Sequence, residues 1–170
     1  MRDTEWMGRY RSLIETLVRH RNAYSRVMNV KTEQYANVSL SMVEWEVLEY
    51  IIEHQEDDSN MAQLSERLMI PASSFSKITK ALFQQGLIEK YRIEGNNKTI
   101  ILKPSEFGID FYRNRAADLG STIFAEFFHE LDGFSEEELQ HIAKALDAIT
   151  PRIEKPGDPE EKSRKLVKME

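Results

Sequence analysis

At 170 residues the chain is long enough for one domain with a proper core, or for a small module plus an oligomerisation element. It holds no cysteine, which excludes a disulfide framework, a cysteine zinc site and a thiol oxidation switch; no apolar run approaches a membrane span and no signal-peptide pattern opens it, so the expected location is cytoplasmic, with no membrane partner. The net charge of −6 divides unevenly, because residues 62–103 carry seven Lys and Arg against three Glu, a net +4 that leaves −10 for the rest, and only that stretch reads as a polyanion-facing surface.

From about Asp3 to Gln34 the spacing predicts one long helix. Tyr10, Leu13, Ile14, Leu17, Val18, Tyr24, Val27 and Met28 recur three and four apart, and only Gly8 weakens the run. Such a helix has more apolar surface than a small module covers, so part of it should meet a partner subunit. Ser41 and Glu44 then form a capping-box pattern that opens a helix with Trp45, Leu48, Ile51 and Ile52 on its inner side. Trp45 reads as core, and the acidic, polar run Gln55 to Ser59 as a loop.

Asn60 and Gln63 make a second capping box, opening a short helix that carries Ala62, Leu64 and Leu68. Ile70 and Pro71 break the chain, since proline cannot continue one helix but fits the first turn of the next. The following helix ends at Gly86, which suits a left-handed stop. At about 100° per residue, Phe75, Ile78 and Leu82 share one stripe. Ser73, Ser76, Lys77, Lys80 and Gln84 fall opposite, a polar and cationic face without an acid. Such a face suits a DNA major groove, where carboxylates would repel phosphate; the plain alternative is an ordinary solvated helix face. The runs LIEKYRI and KTIIL then read as paired strands joined by a turn at Glu94, Gly95, Asn96 and Asn97, with Lys90, Arg92, Lys98 and Lys103 riding on the hairpin. Two helices, a tight turn and a basic hairpin make a winged helix-turn-helix, whose wing can touch phosphates or a minor groove while the helix reads bases.

Beyond the wing, Ser105 is placed to cap a helix running to about Leu131, with Ile109, Tyr112, Ala116, Leu119 and Ile123 at the spacing of a helix seam. Asp132 and Gly133 interrupt it. Ser135 and Glu138 form a third capping box, and Leu139, Ile142, Ala143, Leu146 and Ile149 stripe the last helix until Pro151. The tail from Arg152 is charged and poor in large apolar residues, and Asp158 with Pro159 starts at most one weak helix. No phosphate-cradling glycine pattern and no nucleophile elbow occurs, and His20, His54, His129 and His141 lack metal-ligand spacing. Neither an enzyme, a metal site nor a cofactor is expected.

The stretch from Leu64 to Gly108 resembles the MarR family of bacterial transcriptional regulators. Leu64 and Leu68 match its first helix; Ser73, Ser74, Ser76 and Lys77, then Leu82, Gly86, Leu87 and Ile88, match its recognition helix and the exit from it. Asn96 and Lys98 stand where the family has a wing Asp and Arg, and Ser105 with Gly108 where it has Thr and Gly. Asn96 cannot make the family's Asp to Arg ion pair, and Lys98 is a point charge in place of a rigid fork. Leu40, Ser41, Glu44, Trp45 and Leu48 extend the likeness upstream.

These readings together give a mainly α fold with a small β-hairpin wing, a winged helix-turn-helix plus a helical dimerisation element. Residues 1–38 form an N-terminal dimerisation helix, 39–104 the DNA-binding domain, 105–150 the C-terminal dimerisation helices and 151–170 a mobile charged tail. The resemblance implies a homodimeric, sequence-specific regulator, a repressor that binds a pseudo-palindromic operator on double-stranded DNA and is released by a small-molecule effector of unknown identity. Candidate DNA contacts are Ser73 and Ser74 in the first turn, where helix capping is the competing role, then Ser76, Lys77 and Lys80, with Arg92, Asn97 and Lys98 on the wing. The alternative function is a winged-helix module for protein association.

Overall fold

The computed structural model describes residues 5–33, 37–150 and 166–168; of residues 5, 33, 97, 98, 117–123 and 166–168 it describes the backbone alone. Gly8 decides where the first long helix begins. Its backbone sits at φ 50°, ψ −133°, outside helical space, so Glu5–Tyr10 is a 3-10 segment and α1 is confined to Arg11–Val27, shorter at both ends than the periodicity predicts. After α1 the chain turns extended: β1 (Thr32–Glu33) pairs antiparallel with β2 (Ser39–Leu40).

The predicted capping box then opens α2 (Met42–Glu53). Ser41 Oγ accepts from the Glu44 amide at 3.3 Å, and the Glu44 carboxylate accepts from the Ser41 amide at 2.9 Å. The other carboxylate oxygen of Glu44 meets Lys31 Nζ at 2.8 Å. The Tyr24 hydroxyl donates to Glu46, and the Met28 carbonyl accepts from the Val43 amide at 3.2 Å. The C-terminal end of α1 is thereby tied to the start of α2.

Asn60 and Gln63 close the second box and open α3 (Met61–Arg67). The turn that follows passes through Met69 at φ 54°, and Ser65 holds it from both sides: its carbonyl accepts from the Ile70 amide at 3.0 Å and its hydroxyl donates to the Ile70 carbonyl at 2.7 Å. Pro71 starts α4 (Ala72–Gln84), and Gly86 at φ 72° stops it. Helices α2, α3 and α4 pack through Val47, Leu48, Ile51, Leu64, Phe75 and Leu82, none more than 3% exposed, and each large apolar side chain so buried contributes about 1.5–3 kcal/mol.

The wing is β3 (Ile88–Ile93) and β4 (Asn96–Pro104), antiparallel, with Ile93 opposite Asn96. The turn is therefore the two residues Glu94 and Gly95, tighter than the four expected, and Gly95 at φ 79° permits it. Asn60 bridges Ile101 on the far edge of β4. On the free edge of β3 lies β5 (Leu166–Lys168), so the sheet runs β4-β3-β5. This strand falls in the stretch expected to be a mobile tail; residues 151–165, with Asp158 and Pro159, lie outside the described residues.

Ser105 accepts from the Gly108 amide at 2.9 Å and donates to the Gly86 carbonyl at 2.5 Å, capping α5 (Glu106–Ile123) and fastening it to the end of α4. The single helix expected from Ser105 to Leu131 is divided at Phe124, with α6 (Ala125–Leu131) beyond. The third capping box, Ser135 with Glu138, opens α7 (Glu136–Asp147). Two units result. One spans residues 1–111 with 166–170, and its core includes Trp45, whose ring lies 5.9 Å from that of Phe111; the other spans residues 112–165. Neither α1, α6 nor α7 has a buried residue, and the side chains of Leu119 and Ile123 lie outside the described set.

Candidate nucleic-acid interface

Helix α4 divides its side chains by face. Phe75, Ile78, Thr79 and Leu82 are buried at 9% exposure or less, while Ser73, Ser74, Ser76, Lys77, Lys80 and Gln84 are all exposed. No carboxylate interrupts the exposed face. The N-cap is Pro71, which has no side-chain acceptor, so Ser73 and Ser74 occupy the second and third helical positions and neither is the cap. A 13-residue helix with no side-chain cap and no acid in its first turn presents the positive end of its dipole to solvent.

The wing adds to this face from β3. Lys90 lies with its ammonium 5.0 Å from the Phe83 ring centroid, and its pKa is pushed below the ordinary lysine value, first by burial and then by the charge of Lys80. Cations from α4 and β3 thus sense one another across the helix–sheet junction. Arg92 is exposed on the same strand. Asn96 donates from Nδ2 to Thr99 Oγ1 at 3.0 Å, a neutral contact at the turn where the resembled family has an acid. The side chains of Asn97 and Lys98 lie outside the described residues.

Two other cations of the basic stretch face elsewhere. Arg67 pairs with Asp57 at 3.3 Å and donates to Ser59 Oγ at 3.1 Å, and Lys103 pairs with Asp58 at 2.9 Å. The loop read as acidic and polar in the sequence supplies both acids. Among the described residues, the cations of the basic stretch that remain are Lys77, Lys80, Lys90 and Arg92. Lys90 was counted in the basic hairpin but not among the candidate contacts; its position two residues before Arg92 on the same strand was the available signal. Among the described residues no group of three or more His, Asp and Glu is arranged to hold a metal ion.

Residues 40–100, from β2 through most of β4, match the sequence model of the MarR family. The HTH-type transcriptional regulator PchR of Bacillus subtilis (strain 168) is 25% identical over 126 residues, which cover 72% of this chain and 70% of that protein. Among solved structures, Streptococcus pneumoniae FabT in complex with DNA superposes with a TM-score of 0.56 at 22% identity, covering 82% of this chain and 94% of that one. The zinc-responsive MarR family member ZitR of Lactococcus lactis gives 0.55 at 21% identity over 82% and 95% of the two chains. The transcriptional regulator SlyA gives 0.60 at 18% identity over 81% and 90%. At these identities the structures speak to the fold, a winged helix-turn-helix within a mainly helical chain.

Proposed function

Through residues 40–100 the chain belongs to the MarR family of transcriptional regulators, and on that premise we propose that it is a homodimeric repressor that seats its two α4 helices in successive major grooves of a pseudo-palindromic operator. The observation that carries this reading is the acid-free exposed face of α4, with Ser73, Ser76, Lys77 and Lys80 turned to solvent and Lys90 beside them. Serines and lysines on such a face reach base edges and phosphates without carboxylate repulsion. The half-site centres are spaced by about 10–10.5 base pairs or a multiple of that. That FabT was solved with DNA supports the same use of the fold. The exposed apolar residues of α1, α6 and α7 support a second copy as the dimer partner. A small-molecule effector that binds one head spacing better than the other would release the operator, because it shifts the population between the two.

Titration of the protein with duplex from its own upstream region, at several salt concentrations, tests the reading. Log affinity should fall linearly with log salt, by about 0.9 per phosphate engaged. The double variant Lys77→Glu, Lys80→Glu should lose binding while sedimentation still reports a dimer; unchanged affinity would remove α4 as the reading element. The neutral wing contact of Asn96 favours the second reading, a module for protein association. Absence of any gel shift by the unmodified chain would favour that reading.

A further inference from the structure

The turn between α3 and α4 carries a local disadvantage that packing within the fold does not offset. It closes α3 by two backbone bonds, from the Met69 amide to the Glu66 carbonyl and from the Ile70 amide to the Ser65 carbonyl, both at 3.0 Å. A closure of this kind puts the residue after the helix cap in left-handed space, a place usually taken by glycine and sometimes by asparagine. Among the described residues two non-glycines have positive φ: Asn37, of a type that tolerates it, and Met69 at φ 54°. Burial does not compensate the strain, because the Met69 side chain is 54% exposed. Glycine would remove both the strain and the exposed apolar surface, yet a long thioether stands there.

Met69 lies three residues ahead of Ala72, the first residue of α4, and both Pro71 and Ala72 are exposed as well. Leu68 to Ala72 is a run of five residues without a charge, so the cationic face of α4 opens on an apolar edge. In a helix-turn-helix the start of the second helix is the part that meets base edges. The apolar group that the major groove presents there is the C5-methyl of thymine.

We propose that Met69 is a specificity-determining residue of the reading head, its thioether side chain packing on a thymine methyl at the edge of the groove entered by α4. The proposal rests on the DNA-binding reading given above and deepens it: the lysines engage phosphates, while Met69 selects a T·A pair at one position of each half-site. An unbranched, flexible and polarizable side chain suits this contact, since it fills an irregular apolar gap and brings no charge. Unlike the lysines, it adds affinity without adding to the salt dependence.

Urea denaturation and binding to the upstream duplex are measured for the full chain, M69G and M69L. Binding is repeated on duplexes in which single thymines are replaced by deoxyuridine, which lacks only the methyl group. M69G should raise the urea midpoint at unchanged slope, because glycine accepts the left-handed backbone. It should nevertheless weaken binding at least about tenfold, the loss of one apolar contact in each half-site. Its salt slope should equal that of the full chain, since no charge is removed. M69L keeps the apolar volume and should bind within about threefold of the full chain. Deoxyuridine at one thymine of each half-site should weaken the full chain by about fourfold per methyl and leave M69G unaffected. A lower midpoint in M69G would place the side chain inside the fold and overturn the proposal. So would full affinity in M69G, or deoxyuridine effects that are the same in M69G and in the full chain. A full chain that binds no DNA overturns the function itself, a result distinct from one in which the full chain and M69G bind equally well.

Discussion

Gly108 shows how a single residue can be required by packing. A Cβ built there would lie 2.0 Å from the Leu87 carbonyl oxygen and 2.9 Å from its carbonyl carbon, both backbone atoms. The first turn of α5 approaches the strand entrance this closely because Ser105 bonds the Gly86 carbonyl and its own amide donates to Leu87 at 3.1 Å. Gly108→Ala should therefore destabilise the protein by about 1–3 kcal/mol, the cost of overpacking against backbone. Urea denaturation should show a lower midpoint at unchanged slope; an unaltered midpoint would mean that α5 shifts at no cost. Lys90 makes the complementary case. Burial first, and the charge of Lys80 second, hold its pKa below the ordinary lysine value, so bringing Lys90 close to α4 works against its charged form.

Helices α2, α3 and α7 begin at reciprocal capping boxes, each legible from four consecutive residues because a cap satisfies amides within one turn. In α7 the Ser135 amide, and next its hydroxyl, hold the Glu138 carboxyl below the usual glutamate value. A depressed carboxyl pKa stabilises the helix start above the unfolded-state value. That contribution disappears as pH falls through the depressed value. Helicity monitored in an acid titration should fall over that window in the wild type, and the fall should be smaller in Ser135→Ala, which begins without the hydroxyl cap; identical profiles would show that the box does not hold α7. Other boundaries were less legible. Gly8 was visible as a weak point, but its left-handed backbone, which ends the helical run, was not. The division at Phe124 follows Gly120, Ser121 and Thr122, a run of poor helix formers inside an otherwise strong periodicity.

For the whole molecule, the apolar residues that the chain leaves exposed decide what it needs from a partner. Leu13, Val18 and Val27 on α1, Phe127 and Phe128 on α6, and Ile142 and Leu146 on α7 are each at least 36% exposed. In the homodimer proposed above, these side chains are the ones that would be covered by the second copy. If the proposed homodimer forms through these helices, the double variant Phe127→Glu, Leu146→Glu should sediment as a monomer and lose binding to a two-half-site duplex; a dimer that survives both charges would place the interface elsewhere.

The amino-acid sequence alone determined the caps, the two-faced recognition helix, the wing and the separation of basic reading head from acidic remainder, because periodicity, propensity and capping act over three or four residues. The tertiary structure decided what each cation meets. Arg67 is matched with Asp57 ten residues away and Lys103 with Asp58, Lys90 lies over the Phe83 ring, and β5 lies on a strand more than seventy residues earlier in the chain. Coulomb interactions and edge pairing depend on distance in space, and separation along a chain carries almost none of that information until the core has closed.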